Sequence, residues 1–191
     1  MKTYSKMKIK WTVMLAALMV FASSCKKDDD LVDVPPPDNP PEVITTLELT
    51  LTDSANPSTP VIAAFRDPDG AGGADPIQMD DIALNANSTY YVTIALLDES
   101  DPDDVEDIGA EVLEEANDHL FCFPVEGLDI TIDITDTDGN NLPLGLMSTW
   151  RTGAAGAGDV EVLLKHQPGV KDGTCEPGDT DIEVDFECTI Q

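Results

Sequence analysis

From Glu42 onward, apolar and polar residues alternate along most of the chain. In "VITTLELTL", Val43, Thr45, Leu47, Leu49 and Leu51 share one face, while Ile44, Thr46, Glu48 and Thr50 share the other. The same period of two groups Tyr90, Val92, Ile94 and Leu96, and sets Leu128, Ile130, Ile132 and Ile134 against Asp129, Thr131, Asp133 and Thr135. It recurs in Val160, Val162 and Leu164, and again in Ile182, Val184, Phe186, Cys188 and Ile190. Alternation repeated this often predicts half-buried antiparallel strands. Less regular strands are expected at 60–66, 77–84, 119–125 and 144–151. Turn-forming stretches separate them: "DPDGAGG" at 67–73, "NANS" at 85–88, "DTDGNN" at 136–141 and "GAAGAG" at 153–158. One segment follows a helical period instead. Val105, Ile108, Val112, Leu113 and Ala116 lie behind acids suited to a helix N-terminus, which predicts a short helix at about 103–116. The expected architecture is all-β: an immunoglobulin-like antiparallel β-sandwich of about 8–9 strands over residues 42–191, with one short helix and one core.

Residues 1–41 have a different character. Lys2, Lys6, Lys8 and Lys10 precede a largely apolar run from Trp11 to Phe21, followed by the small residues Ala22, Ser23 and Ser24 before Cys25. This order predicts a secretory signal peptide over 1–24. The apolar run is well short of the roughly 20 residues that span a bilayer. Residues 25–41 carry five prolines and five acids, the composition of an extended, semi-rigid tether.

Charge narrows the choice of partners. The chain has 38 acids against 10 basic residues, a net charge of −28, and all of the acids lie beyond residue 24. Loss of the four N-terminal lysines would leave −32. Such a surface repels nucleic-acid phosphates and anionic lipid, so binding to nucleic acid is not expected. Asp outnumbers Glu 26 to 12, which places the acids in loops more than helices. Asp67, Asp69 and Asp75 in one loop, and Asp136, Asp138 and Asn140 in another, are candidate Ca²⁺ ligands around glycine turns. The other reading of both loops is plain hairpin turns.

His119 and His166 are the only histidines, and both continue the inward parity of a strand. Two strand-end histidines suit a transition metal shared with a carboxylate; otherwise they are hydrogen-bonded at a core edge. Cys122, Cys175 and Cys188 follow Cys25. Strand parity makes Cys188 a buried thiol and Cys122–Cys175 the preferred disulfide, although spacing alone leaves connectivity open. Trp150 shares parity with Leu144 and Leu146 and is expected in the core. The chain carries none of the Gly-x-Ser-x-Gly, His-Glu-x-x-His, phosphate-loop or Cys-x-x-Cys motifs, so a non-enzymatic role is expected.

Two resemblances add to this reading. The run ending Ala22-Ser23-Ser24-Cys25 resembles a bacterial lipobox, with Ala22 where the usual box has Leu, as in the looser boxes of Bacteroidota lipoproteins. It implies lipidation of Cys25. Lys26, Lys27, Asp28, Asp29 and Asp30 resemble the surface-export signal of that phylum and imply an outer-membrane, outward-facing location. In addition, "EVITTLELTL", "FRDPDG", "DTDGNNLPLGL", "LLKHQPGVKDGT" and the closing "TIQ" resemble a family of short flavobacterial lipoproteins. Those proteins are often catalogued as type 1 periplasmic binding fold proteins, a label that implies ligand binding. That fold consists of two α/β lobes, whereas the alternation here predicts a β-sandwich. The functional expectation is a non-enzymatic surface lipoprotein, attached to the membrane by its lipid anchor and acting as a structural or binding module. The alternative is capture of a glycan or small solute beside an outer-membrane uptake protein.

Overall fold

The computed structural model describes residues 42–70 and 72–191. The expected signal peptide, Cys25, the Lys26–Asp30 export signal and the 25–41 tether lie outside the described residues.

The domain is an all-β sandwich of two sheets with one helix. The first sheet is antiparallel throughout and contains six strands: β1 (Thr46–Asp53), β2 (Val61–Arg66), β3 (Gln78–Met79), β5 (Thr89–Leu97), β8 (Ile130–Ile134) and β9 (Met147–Thr152). Their spatial order is β3-β2-β1-β5-β9-β8. The second sheet contains β4 (Ile82–Leu84), β6 (His119–Cys122), β7 (Val125–Glu126), β10 (Gly156–His166) and β11 (Asp179–Ile190). Its order is β4-β11-β10-β6, with β7 also pairing β10. Only the β4–β11 pair is parallel.

Alternation builds the core as expected. Leu47, Leu49 and Leu51 of β1, Tyr90, Val92 and Leu96 of β5, and Trp150 of β9 face Val160, Val162 and Leu164 of β10 and Val184 and Phe186 of β11. Within the sheets Leu49 lies opposite Ile94, and Val162 opposite Val184. Side chains from both inner faces thus fill one layer between the sheets.

Several boundaries differ from expectation, each for a local reason. There are eleven strands among the described residues rather than eight or nine, because two expected strands divide. In 77–84 the chain leaves the first sheet after β3 and enters the second as β4. Asp80 ends the first pairing: its carboxylate accepts the Ala64 N–H and the Gln78 amide. In 119–125, Pro124 separates β6 from β7, since proline has no N–H for a ladder. Val43 is exposed ahead of β1, and β10 starts at Gly156, inside a segment expected to turn. The helix α1 (Ile108–Glu114) is shorter than expected and is capped by Asp107, which accepts the Ala110 N–H. Only its Ile108–Val112 stripe is buried; Val105 and Leu113 are exposed, because one face of a helix is all that can meet the sandwich.

Cys122 and Cys175 form a disulfide, joining β6 to the loop between β10 and β11. Cys188 is a buried free thiol. Burial, then the nearby charge of Asp159, pushes its pKa up to about 11, so it stays protonated and unreactive.

Candidate functional site

Three strand ends of the second sheet, the C-terminal end of α1 and the residues before β1 meet around a buried group of imidazoles and carboxylates. β6 and β10 set His119 directly opposite His166. Alternation turns both inward, and the rings stack with centroids 4.9 Å apart and planes 9° from parallel. On the other side of β10, Leu164 pairs with Ile182 but Lys165 pairs with Thr180, leaving Asp181 as the extra residue of a β-bulge. A bulge re-aims side chains that regular pleating would direct elsewhere. Here Ile182 and the Asp181 side chain are both buried, although they are adjacent in sequence. Gly178 makes the approach to β11 possible. It adopts φ +80°, and a Cβ there would lie 2.1 Å from the His166 carbonyl oxygen.

Glu42 reaches the group from just before β1, with its side chain almost fully buried. Its Oε2 lies 3.3 Å from His119 Nε2, and Asp181 Oδ2 lies 3.8 Å from the same nitrogen. His166 Nδ1 is 4.0 Å from Asp181 Oδ1. His119 Nδ1 is 3.1 Å from the Glu115 carbonyl oxygen. A carbonyl only accepts, so Nδ1 carries a proton, and Nε2 faces two carboxyl groups.

The electrostatics follow from this crowding. Burial, then the negative charge of Glu42, raises the Asp181 pKa to about 6, with His166 and His119 offsetting part of the effect. Neither Asp181 oxygen meets an N–H within hydrogen-bond distance among the described residues, and His166 Nε2 is likewise without a partner there. The Glu42 carboxyl lies against Asp181, and a hydrogen bond between them requires one to keep its proton. Two sets of three residues bring donor atoms within 4.8 Å of one another: Glu42, His166 and Asp181, and Glu42, Glu115 and His119. Glu42 belongs to both.

The expected calcium loops are organised differently. Asp136 accepts the N–H groups of Gly145 and Met147. Asp138 accepts those of Asn140 and Leu142 through Oδ1 and pairs with Lys171 at 3.0 Å through Oδ2. The Asn140 amide donates to Asn117. In the other loop Asp69 accepts the Ala74 N–H, Asp67 is buried and Asp75 is exposed. Among the described residues, neither loop gathers three His, Cys, Asp or Glu donors. Sequence reasoning found both histidines but not Glu42, Glu115 or Asp181. Asp181 reads as an outward position in "DIEVDF", and only the bulge reverses it.

A cleft of about 370 Å³ adjoins the group, lined by Ile44, Phe65, Asp67, Thr180, Asp181 and Ile182 among others. A larger groove of about 440 Å³ is lined by Glu126, Asp159, Glu161 and Asp185 around Pro124, and contains neither histidine. Compared with known proteins, the chain matches no family model, no curated protein and no solved structure.

Proposed function

We propose that the chain is a non-enzymatic, lipid-anchored protein of the outer membrane whose β-sandwich, held off the surface by the 25–41 tether, serves as a structural or binding module. The Cys122–Cys175 disulfide carries this reading, because disulfides persist in oxidising compartments outside the cytoplasm. The lipobox-like run before Cys25 and the resemblance to short Bacteroidota lipoproteins agree with it. A lasting attachment needs more than one acyl chain, as a lipidated N-terminal cysteine supplies. The experiment is labelling with radioactive palmitate together with protease treatment of whole cells. The wild-type chain is expected to take up label and lose its domain to the protease. Cys25→Ala is expected to take up none, and an Asp28–Asp30 alanine variant to become protected. An unlabelled wild-type chain would end the proposal.

The cleft beside Asp181 favours a second reading, capture of a small solute or glycan for an outer-membrane uptake partner. It predicts hits in a glycan array or a ligand thermal-shift screen, and a clean negative in both would remove it. Calcium in the Asp67–Asp75 and Asp136–Asn140 loops is the weaker part of the binding reading, since backbone donors and Lys171 already engage Asp136 and Asp138. It predicts a melting temperature that rises with millimolar Ca²⁺ and falls with chelator.

A further inference from the structure

The buried group at the end of the second sheet is difficult to explain as a set of packed side chains alone. Glu42, Asp181, His119 and His166 come from four separate segments. Their closest contacts crowd two buried carboxyl groups against one imidazole nitrogen. With His119 Nδ1–H donating to the Glu115 carbonyl, Nε2 lies 3.3 Å from Glu42 Oε2 and 3.8 Å from Asp181 Oδ2. Buried polar atoms are ordinarily satisfied, yet neither Asp181 oxygen has an N–H within hydrogen-bond distance among the described residues, and His166 Nε2 has no partner there either. Only a proton or a cation between these atoms makes the arrangement attractive.

From this geometry we infer that the group is a binding centre for divalent transition-metal ions of the zinc class, with the Glu42 carboxylate bridging two adjoining positions. One position is formed with His166 and Asp181, the other with His119 and Glu115. Tetrahedral zinc, with bonds of about 2.0–2.1 Å, sets its donor atoms about 3.3 Å apart. Within the two positions, Glu42 and His119 lie 3.3 Å apart and His166 and Asp181 4.0 Å apart, close to that spacing. Two positions are required because the imidazoles are stacked nearly parallel, so one ion cannot lie in the plane of both rings. Paired metal ions sit about 3.5–4 Å apart in such sites, a spacing that stacked rings with centroids 4.9 Å apart accommodate.

The surroundings resemble those of a metal-bound histidine. The hydrogen bond from His119 Nδ1 to a backbone carbonyl fixes the tautomer and leaves Nε2 as the ligating atom. Imidazole nitrogens select zinc-class ions over Ca²⁺, which takes six to eight oxygens. The cleft that includes Asp181 in its lining supplies an entry route. This inference does not depend on lipid anchoring or on solute capture.

The test uses the full chain, stripped with chelator and then exposed to zinc sulfate. After gel filtration, elemental analysis is expected to find two zinc ions per chain. At a hundredfold excess over Kd the melting temperature should rise by about 5–10 °C. Because the chain has two histidines, NMR can assign the change, with shifts expected at His119 Nε2 and on the His166 ring. Glu42→Gln should remove both ions and Asp181→Asn at least one. Asp181→Asn also separates ligand loss from misfolding. It removes a buried negative charge, so the metal-free melting temperature should hold or rise while the zinc-induced shift falls. A Ca²⁺ effect arising in the 67–75 or 136–140 loops would persist in that variant. Absence of retained zinc, retention undiminished in Glu42→Gln, or unshifted histidine resonances would overturn the inference. A single ion per chain would overturn the bridging role of Glu42.

Discussion

At the residue scale, Asp138 shows how a partner decides what a side chain does. Its side chain and that of Lys171 are almost wholly buried, 3.0 Å apart. Lys171 also donates to the Ala116 carbonyl beyond α1, so one ammonium ties the 136–141 turn to the end of the helix. Lys171→Met leaves a buried carboxylate without its counter-charge and is expected to cost about 3 kcal/mol, measured by urea unfolding. Burial works against the Asp138 charge, but the Leu142 N–H, Lys171 and the Asn140 N–H outweigh it and hold the pKa below the ordinary carboxylate range. A carboxyl whose pKa is lower in the folded than in the unfolded chain contributes stability above about pH 4 and loses it as pH falls through the lowered value. In urea midpoints measured from pH 7 to pH 2, the gap between wild type and Lys171→Met should therefore narrow below about pH 4, because the wild type loses this contribution and the variant no longer has it. None of this was legible in "DTDGNN", which has the composition of a cation loop. The deciding residue lies in a distant part of the sequence.

At the element scale, alternation made the long strands legible, and burial follows the expected parity through β5, from Val160 in β10 and from Ile182 in β11. The divisions of 77–84 and 119–125 were not legible, because each half of a broken strand keeps an acceptable pattern while the sheet it joins depends on partners elsewhere. The bulge in β11 was hidden for the same reason. A one-residue slip is a property of the pair β10–β11, so Asp181 looked solvated when the strand was read alone. Two of the five candidate-site residues were visible: the histidines lie on regular strands, while Glu42 lies ahead of a strand, Glu115 caps the end of α1 and Asp181 sits on an irregularity. Gly178 controls how β11 enters. Substitution by alanine forces a left-handed backbone on a residue with a Cβ and drives that atom against His166. Gly178→Ala is expected to destabilise by about 1–3 kcal/mol, with the largest loss of amide protection at the strand ends around His166 and Asp179.

At the scale of the whole molecule, the disulfide and the order of the strands matter most. Cys122 and Cys175 are separated by 53 residues, and closing a loop of that length removes enough unfolded-state entropy to stabilise the fold by about 4 kcal/mol. Reduction with a phosphine should lower the urea midpoint accordingly, and Cys122→Ser with Cys175→Ser should reproduce that effect without reductant. The charge of −28 acts on the same equilibrium. Added salt screens self-repulsion, so the midpoint should rise between low and moderate ionic strength in the reduced and oxidised forms alike.

The order of the second sheet, β4-β11-β10-β6, has a consequence in time. β11 follows every other described strand in the chain yet lies between β4 and β10, so the half-sheets on either side have no common partner until residues 179–190 emerge. A chain halted before Asp179 exposes the inner face of the first sheet and should be digested quickly by protease. During synthesis the same gap delays closure of the sandwich until nearly the whole domain has been made. This keeps the polypeptide in a loose form, the only form that can be threaded through a narrow channel.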